Sequence, residues 1–139
     1  MKTTMFLATL MMTLVGMVFS QKDPARSPVE GKGKSPLACN RAALTPEQRK
    51  RHFDELGPAL RSRRQSVHEL ADGYEFEYPA DANTYQMLTE WISGERVCCP
   101  FFDIMMLVAH EGGPIKLQLT GKDGVKRFVE EEGAVWIQR

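Results

Sequence analysis

Three cysteines are the residues of this 139-residue chain whose types and spacing point most directly to chemistry: Cys39, and the adjacent pair Cys98-Cys99. Thiolates select copper(I), zinc and other thiophilic ions such as mercury(II). Three of them converging from two segments would make a soft-metal site with Cys39, Cys98 and Cys99 as ligands. An adjacent pair lacks the C-x-x-C spacing with which a short loop wraps zinc. The competing use of the same residues is a disulfide. Bridging Cys39 to either member of the pair closes a loop of about sixty residues, worth about 4 kcal/mol in the chain-entropy account, and leaves one thiol over. A bridge between Cys98 and Cys99 themselves is strained, because adjacent α-carbons sit about 3.8 Å apart, below the usual disulfide range. A thiol-based metal-binding module and a disulfide-stabilised binding or structural domain without metal both remain open.

Other chemistry is weaker in this sequence. His52, His68 and His110 complete no ligand motif and read as surface or satisfied structural histidines. Reactive thiolates favour helix N-termini or neighbouring cations. Cys98 and Cys99 fall at the C-terminal end of an expected helix, which argues against thioredoxin-like exchange. Glu75 and Glu77 read as the wet face of a strand and Glu130 to Glu132 as a solvated helix end; neither offers an acid pair for hydrolysis. No Ser-His-Asp arrangement stands out, no catalytic residue is assigned, and the sequence leans away from an enzyme. Gly33-Lys34-Ser35 imitates the end of a phosphate-binding loop, but Pro28 stands where that motif needs glycine. The 18 basic residues are balanced by 18 acidic ones, so nucleic acid is not an expected partner. The basic first helical region reads as a solvated face.

The elements that must position the cysteines begin after an unusual start. Met5 to Phe19 is an uncharged, mostly apolar run behind Lys2, followed by Ser20. This is the layout of a secretory signal over residues 1–20, cleaved before Gln21. Its fifteen residues cover only about 22 Å as a helix, short of the ~30 Å hydrocarbon core, so no stable membrane span is expected after cleavage. A secreted or periplasmic location follows, and with it an oxidising compartment that favours disulfides. Residues 21–37, rich in Pro and Gly and poor in apolar side chains, read as a disordered tether.

Residues 38–139 then form one domain. Thr45-Pro46-Glu47-Gln48 starts a helix with a capping box, and Gly57-Pro58 should kink or interrupt it. Val67 to Leu70 and Tyr74 to Tyr78, joined at Asp72-Gly73, read as a hairpin whose second strand alternates. Asp81 caps a second helix with an apolar stripe of Tyr85, Leu88, Trp91 and Ile92. Pro100 ends that helix near the cysteines. Projecting the stripe one turn further predicts that Cys99 faces the core and Cys98 its flank. Phe101 to His110, apolar on both faces, reads as a central strand, and Ile115 to Thr120 as an alternating fourth strand. A last helix starts near Asp123 and buries Val125, Phe128 and Val129. Helix, hairpin, helix, hairpin, helix is the order of an α+β fold: two layers, a four-stranded antiparallel sheet of two hairpins, helices packed on one face. Six residues of chain before the first helix let Cys39 reach the cysteine pair.

Glu95-Arg96-Val97-Cys98-Cys99-Pro100-Phe101-Phe102, Gly112-Gly113-Pro114, Leu117, Leu119-Thr120-Gly121 and Gly124-Val125 together resemble an uncharacterised family of small bacterial proteins. Cys39-Asn40 and the aromatic strand Tyr74 to Tyr78 fit the same pattern. The double-cysteine, double-phenylalanine segment is also similar to one in some mercury-type regulators, which implies handling of thiophilic metal. The leading signal and tether depart from the usual relative.

Overall fold

The computed structural model describes residues 37–138. The expected signal over 1–20 and all of the expected tether except Leu37 lie outside the described residues. The domain is α+β. Strands β1 (Ser66–Glu69), β2 (Tyr74–Tyr78), β3 (Asp103–Val108) and β4 (Ile115–Thr120) form one antiparallel sheet in the order β1-β2-β4-β3. The helices are α1 (Pro46–Arg49), α2 (Gly57–Arg63), α3 (Ala82–Cys98), α4 (Val125–Glu131) and α5 (Ala134–Ile137). Among the described residues no helix is long and apolar enough to cross a membrane.

Period-two alternation decides which face of the sheet the helices cover. Tyr74, Phe76 and Tyr78 on β2 and Ile115, Leu117 and Leu119 on β4 are all buried. They sit in register, with Phe76 opposite Leu117. Leu56, Leu60, Leu88, Trp91 and Val129 close over them from the helical layer. Burying each of these large side chains contributes about 1.5–3 kcal/mol. The other face is polar: Lys116 Nζ lies 3.2 Å from both Glu75 and Glu77, and Gln118 donates to Glu75 at 2.7 Å.

The apolar run at 101–110 is not central. Strand β3 is shorter than expected and lies at the sheet edge, while β4 occupies the centre beside β2. Met105, Leu107 and Val108 are more than half exposed. A sheet covered on one face buries only alternate residues even at its centre, so alternating β4 suits that place and a continuous apolar run is not required there.

Helix starts form as their sequences dictate. Thr45 Oγ1 accepts from the Gln48 N–H at 3.2 Å and Gln48 Oε1 accepts from the Thr45 N–H at 2.9 Å. Asp81 Oδ1 accepts from the Thr84 N–H at 2.9 Å. Gly57-Pro58 does not break its helix. Residues Lys50–Leu56 between α1 and α2 widen into a π-helical segment instead, and the Gly57 N–H donates to the His52 carbonyl five residues back. Proline lacks an N–H and crowds the preceding turn; the wider turn absorbs both effects, and such segments are rare. The last helical region starts at Val125 behind Gly124, whose φ is +98°, and continues into the short α5, which brings Trp136 against the core.

Gly73 faces the Leu119 carbonyl and the Thr120 α-carbon where any added Cβ would sit. Gly73→Ala is therefore expected to destabilise the domain by about 1–3 kcal/mol, since backbone must move to admit the methyl group. Chemical denaturation checks this, and an unchanged midpoint would show that the hairpin end yields freely.

Candidate functional site

The cysteines meet at the end of α3. Its buried residues are Thr84, Leu88, Trp91, Glu95 and Cys98, at helical spacing, so Cys98 continues the buried stripe. Tyr85, placed on that stripe from sequence, is 45% exposed. The expectation that Cys98 lies toward the flank is corrected accordingly, while Cys99 faces the core as expected, though from beyond the helical stripe. Cys99 has left helical geometry, with φ −125° and ψ 66°, because Pro100 disfavours a helical conformation before it. Its side chain turns toward Cys39. Both Cys98 and Cys99 are fully buried.

Cys39 is carried to the pair by a short segment ahead of a 3-10 turn at Arg41–Ala43. The Asn40 N–H donates to the Cys98 carbonyl at 2.7 Å, fastening this segment to the orphan carbonyl end of α3. Cys39 and Cys99 form a disulfide, with α-carbons 4.5 Å apart and a sequence separation of 60. The expected reach of Cys39 to the pair is borne out. Cys98 is the free thiol, its sulfur 3.3 Å from that of Cys99. All three sulfurs lie within 4.8 Å of one another.

A second group of donors shares Cys98. His52, in the π-helical segment, and Glu95, one turn before Cys98 on α3, are 4% and 6% exposed. His52 Nε2 lies 2.8 Å from Glu95 Oε2. A His52 ring nitrogen, a Glu95 carboxylate oxygen and the Cys98 sulfur fall within 4.8 Å of one another. The imidazole stacks on Trp91 at 5.5 Å and meets the edge of Phe53 at 4.7 Å. Gly94 makes this approach possible, because a Cβ there would come within 2.6 Å of His52 Nδ1. With Nε2–H donating to the carboxylate, Nδ1 keeps its lone pair and has no hydrogen-bond partner among the described residues.

His52 reads from sequence as a surface or satisfied structural residue; it is buried, and only one of its nitrogens is satisfied. Glu95 belongs to no ligand motif in the sequence. The signal that marks it is a charged residue at a position of α3 whose helical neighbours Leu88, Trp91 and Cys98 are buried. His68 and His110 are exposed and join neither group around the sulfurs. His68 clusters instead with Glu75 and Glu77 on the polar sheet face, where both carboxylates already have partners in Lys116, Gln118 and Ser66.

A cleft of about 560 Å³ opens beside the cluster, with Cys39, His52 and Glu95 in its wall among Phe53, Trp91 and Trp136. Cys39, His52 and Glu95 thus meet the cleft, while Cys98 and Cys99 lie behind them, fully buried.

Burial, and after it the Glu95 carboxylate, pushes the Cys98 thiol up from 9.0 to about 11, with Arg41 pulling weakly the other way. The thiol is protonated at neutral pH and is a poor nucleophile there. Unfolding restores the ordinary value. Between about pH 9 and 11 the unfolded chain has lost a proton that the native chain keeps, so stability is full below pH 9 and falls as pH rises toward 11. Denaturation midpoints across this window should fall more steeply in the wild type than in Cys98→Ala. Parallel slopes would show that the thiol is not shielded.

Comparison of the chain with protein-family models, with curated proteins and with solved structures finds no match in any of the three.

Proposed function

We propose that the protein is an exported domain that, once its Cys39–Cys99 bridge is reduced, binds a thiophilic metal ion at its sulfur centre. The observation that carries this reading is the convergence of Cys39, Cys98 and Cys99 within 4.8 Å, with Cys39 in the wall of a cleft. Reduction of the Cys39–Cys99 bridge by a dithiol adds two electrons and two protons. It leaves three thiols at a separation that a single copper(I) or mercury(II) ion spans, and the ion stabilises the thiolates that bare burial disfavours. Export is supported by the signal-like first twenty residues and by a disulfide suited to an oxidising compartment.

A second reading is that the bridge serves stability alone and that no metal binds. Pairing of Cys39 with Cys99 and full burial of Cys98 favour it. Thiol counting before and after mild reduction, followed by titration with copper(I) or mercury(II), separates the two. The metal reading expects one free thiol rising to three, then one equivalent of ion bound in place of the thiol protons. Three thiols with no stoichiometric binding would leave the stability reading. Export is tested by the mature amino terminus: mass spectrometry should find it near Gln21 outside the cytoplasm, and an intact chain recovered only in the cytosol would defeat it.

A further inference from the structure

We propose that His52, Glu95 and Cys98 form a separate site for a borderline divalent cation of the zinc class, occupied while the Cys39–Cys99 disulfide remains intact. The inference rests on the reading that this centre handles metal and assigns the donor set that remains when two of its three sulfurs are bonded to each other.

The donor chemistry selects the ion. One imidazole nitrogen, one carboxylate oxygen and one sulfur converge within 4.8 Å. A mixed nitrogen, oxygen and sulfur set suits zinc, where a set of thiolates alone favours softer ions. Charge makes the same selection. All three side chains are more than nine-tenths buried, and a buried site tolerates little net charge. A thiolate and a carboxylate carry two negative charges, a neutral imidazole none, so a divalent cation brings the cluster to zero. Copper(I) would leave one negative charge uncompensated.

The protons balance as well. The ion takes the Cys98 sulfur and its thiol proton leaves for solvent. At His52 the proton that Nε2 donates to Glu95 moves to Nδ1 as the ion takes the Nε2 lone pair. Nδ1 has no partner now and carries an unpartnered N–H afterwards, so the ring stays neutral with the same nitrogen unpaired. One proton is released per ion, and no electron moves. His52 and Glu95 both line the cleft, which supplies the path in.

The local structure supports a held geometry rather than an accidental one. Glu95 and Cys98 are successive buried positions of α3, and Trp91 on the same face stacks on the His52 ring. The π-helical segment places His52 against α3 at Gly94, where no other residue leaves room for the ring. Stacking and the missing Cβ fix the imidazole before any ion arrives, which lowers the ordering cost of binding.

Cobalt(II), a spectroscopic substitute for zinc, tests the site on the full chain purified without reductant, its disulfide verified by mass. One equivalent should bind with a thiolate-to-cobalt charge-transfer absorption and release of one proton, while the disulfide mass is unchanged. Cys98→Ser should abolish that absorption. His52→Gln should weaken binding at least about tenfold, on the scale of a lost donor or its support. The wild-type absorption and proton count decide the question even if a variant fails to fold. Cobalt bound without the absorption, or bound only after reduction, would overturn the inference while leaving the sulfur-centre reading intact. Failure of cobalt, copper(I) and mercury(II) in both redox states would overturn both.

Discussion

Cys39→Ala is expected to lower the unfolding free energy by about 4 kcal/mol. The bridge it removes joins residues 60 apart, and the stabilisation from restricting the unfolded chain grows with that loop length. A domain of this size is typically stable by only about 5–15 kcal/mol, so the melting temperature should fall by roughly 15–30 °C. The Asn40 to Cys98 backbone hydrogen bond at 2.7 Å is left in place, so native docking of the segment weakens without vanishing. Wild-type protein in a dithiol reductant should converge on the variant's midpoint. Wild-type midpoints that do not respond to reductant would show that the bridge contributes nothing, whatever the variant does.

Glu95→Ala should cost about 1–3 kcal/mol, because a buried donor is left without its acceptor. His52 Nε2 would lose its acceptor at 2.8 Å, and Nδ1 is already unpartnered, so the whole imidazole would be buried without a hydrogen bond. Glu95→Gln supplies a neutral acceptor of nearly the same shape and should cost only about 1 kcal/mol, the difference between a charge-assisted and an ordinary hydrogen bond. Denaturant unfolding of the two variants distinguishes loss of the acceptor from loss of the charge. Equal costs would show that the carboxylate's charge, and not its hydrogen bond to His52, holds the pair.

Local features of this domain were legible because their energetics are local. The Thr45 to Gln48 capping box, the Asp81 cap, the Asp72-Gly73 hairpin and the alternation of Tyr74, Phe76 and Tyr78 all depend on residues within a turn or two of one another. Helical and strand periods then imply two hairpins and their covering helices, hence the antiparallel α+β architecture. The reach of Cys39 to the cysteine pair also followed, since chain length alone permits it.

Which cysteine Cys39 would choose did not follow. That choice turns on where α3 stops: one residue of non-helical backbone at Cys99 swings its sulfur away from the stripe that Cys98 continues. The order of strands was equally hidden. An apolar run shows that a strand can be buried on two faces, but only the layer packed against the sheet decides how many faces are covered, and here it leaves Met105 and Leu107 in solvent.

The sequence by itself thus determined the elements, their caps, the antiparallel architecture and the presence of three thiols able to bridge or to bind. Tertiary structure alone decided that Cys39 pairs with Cys99, that β4 is central, and that His52 meets Glu95 across 43 residues of chain. The physical reason is one of range. Periodicity and capping act between near neighbours and are written as spacing. The meeting of His52, Glu95 and Cys98 depends on a π-helical turn ahead of Pro58, a missing Cβ at Gly94 and the stacking face of Trp91 acting together, and no spacing in the chain encodes that sum.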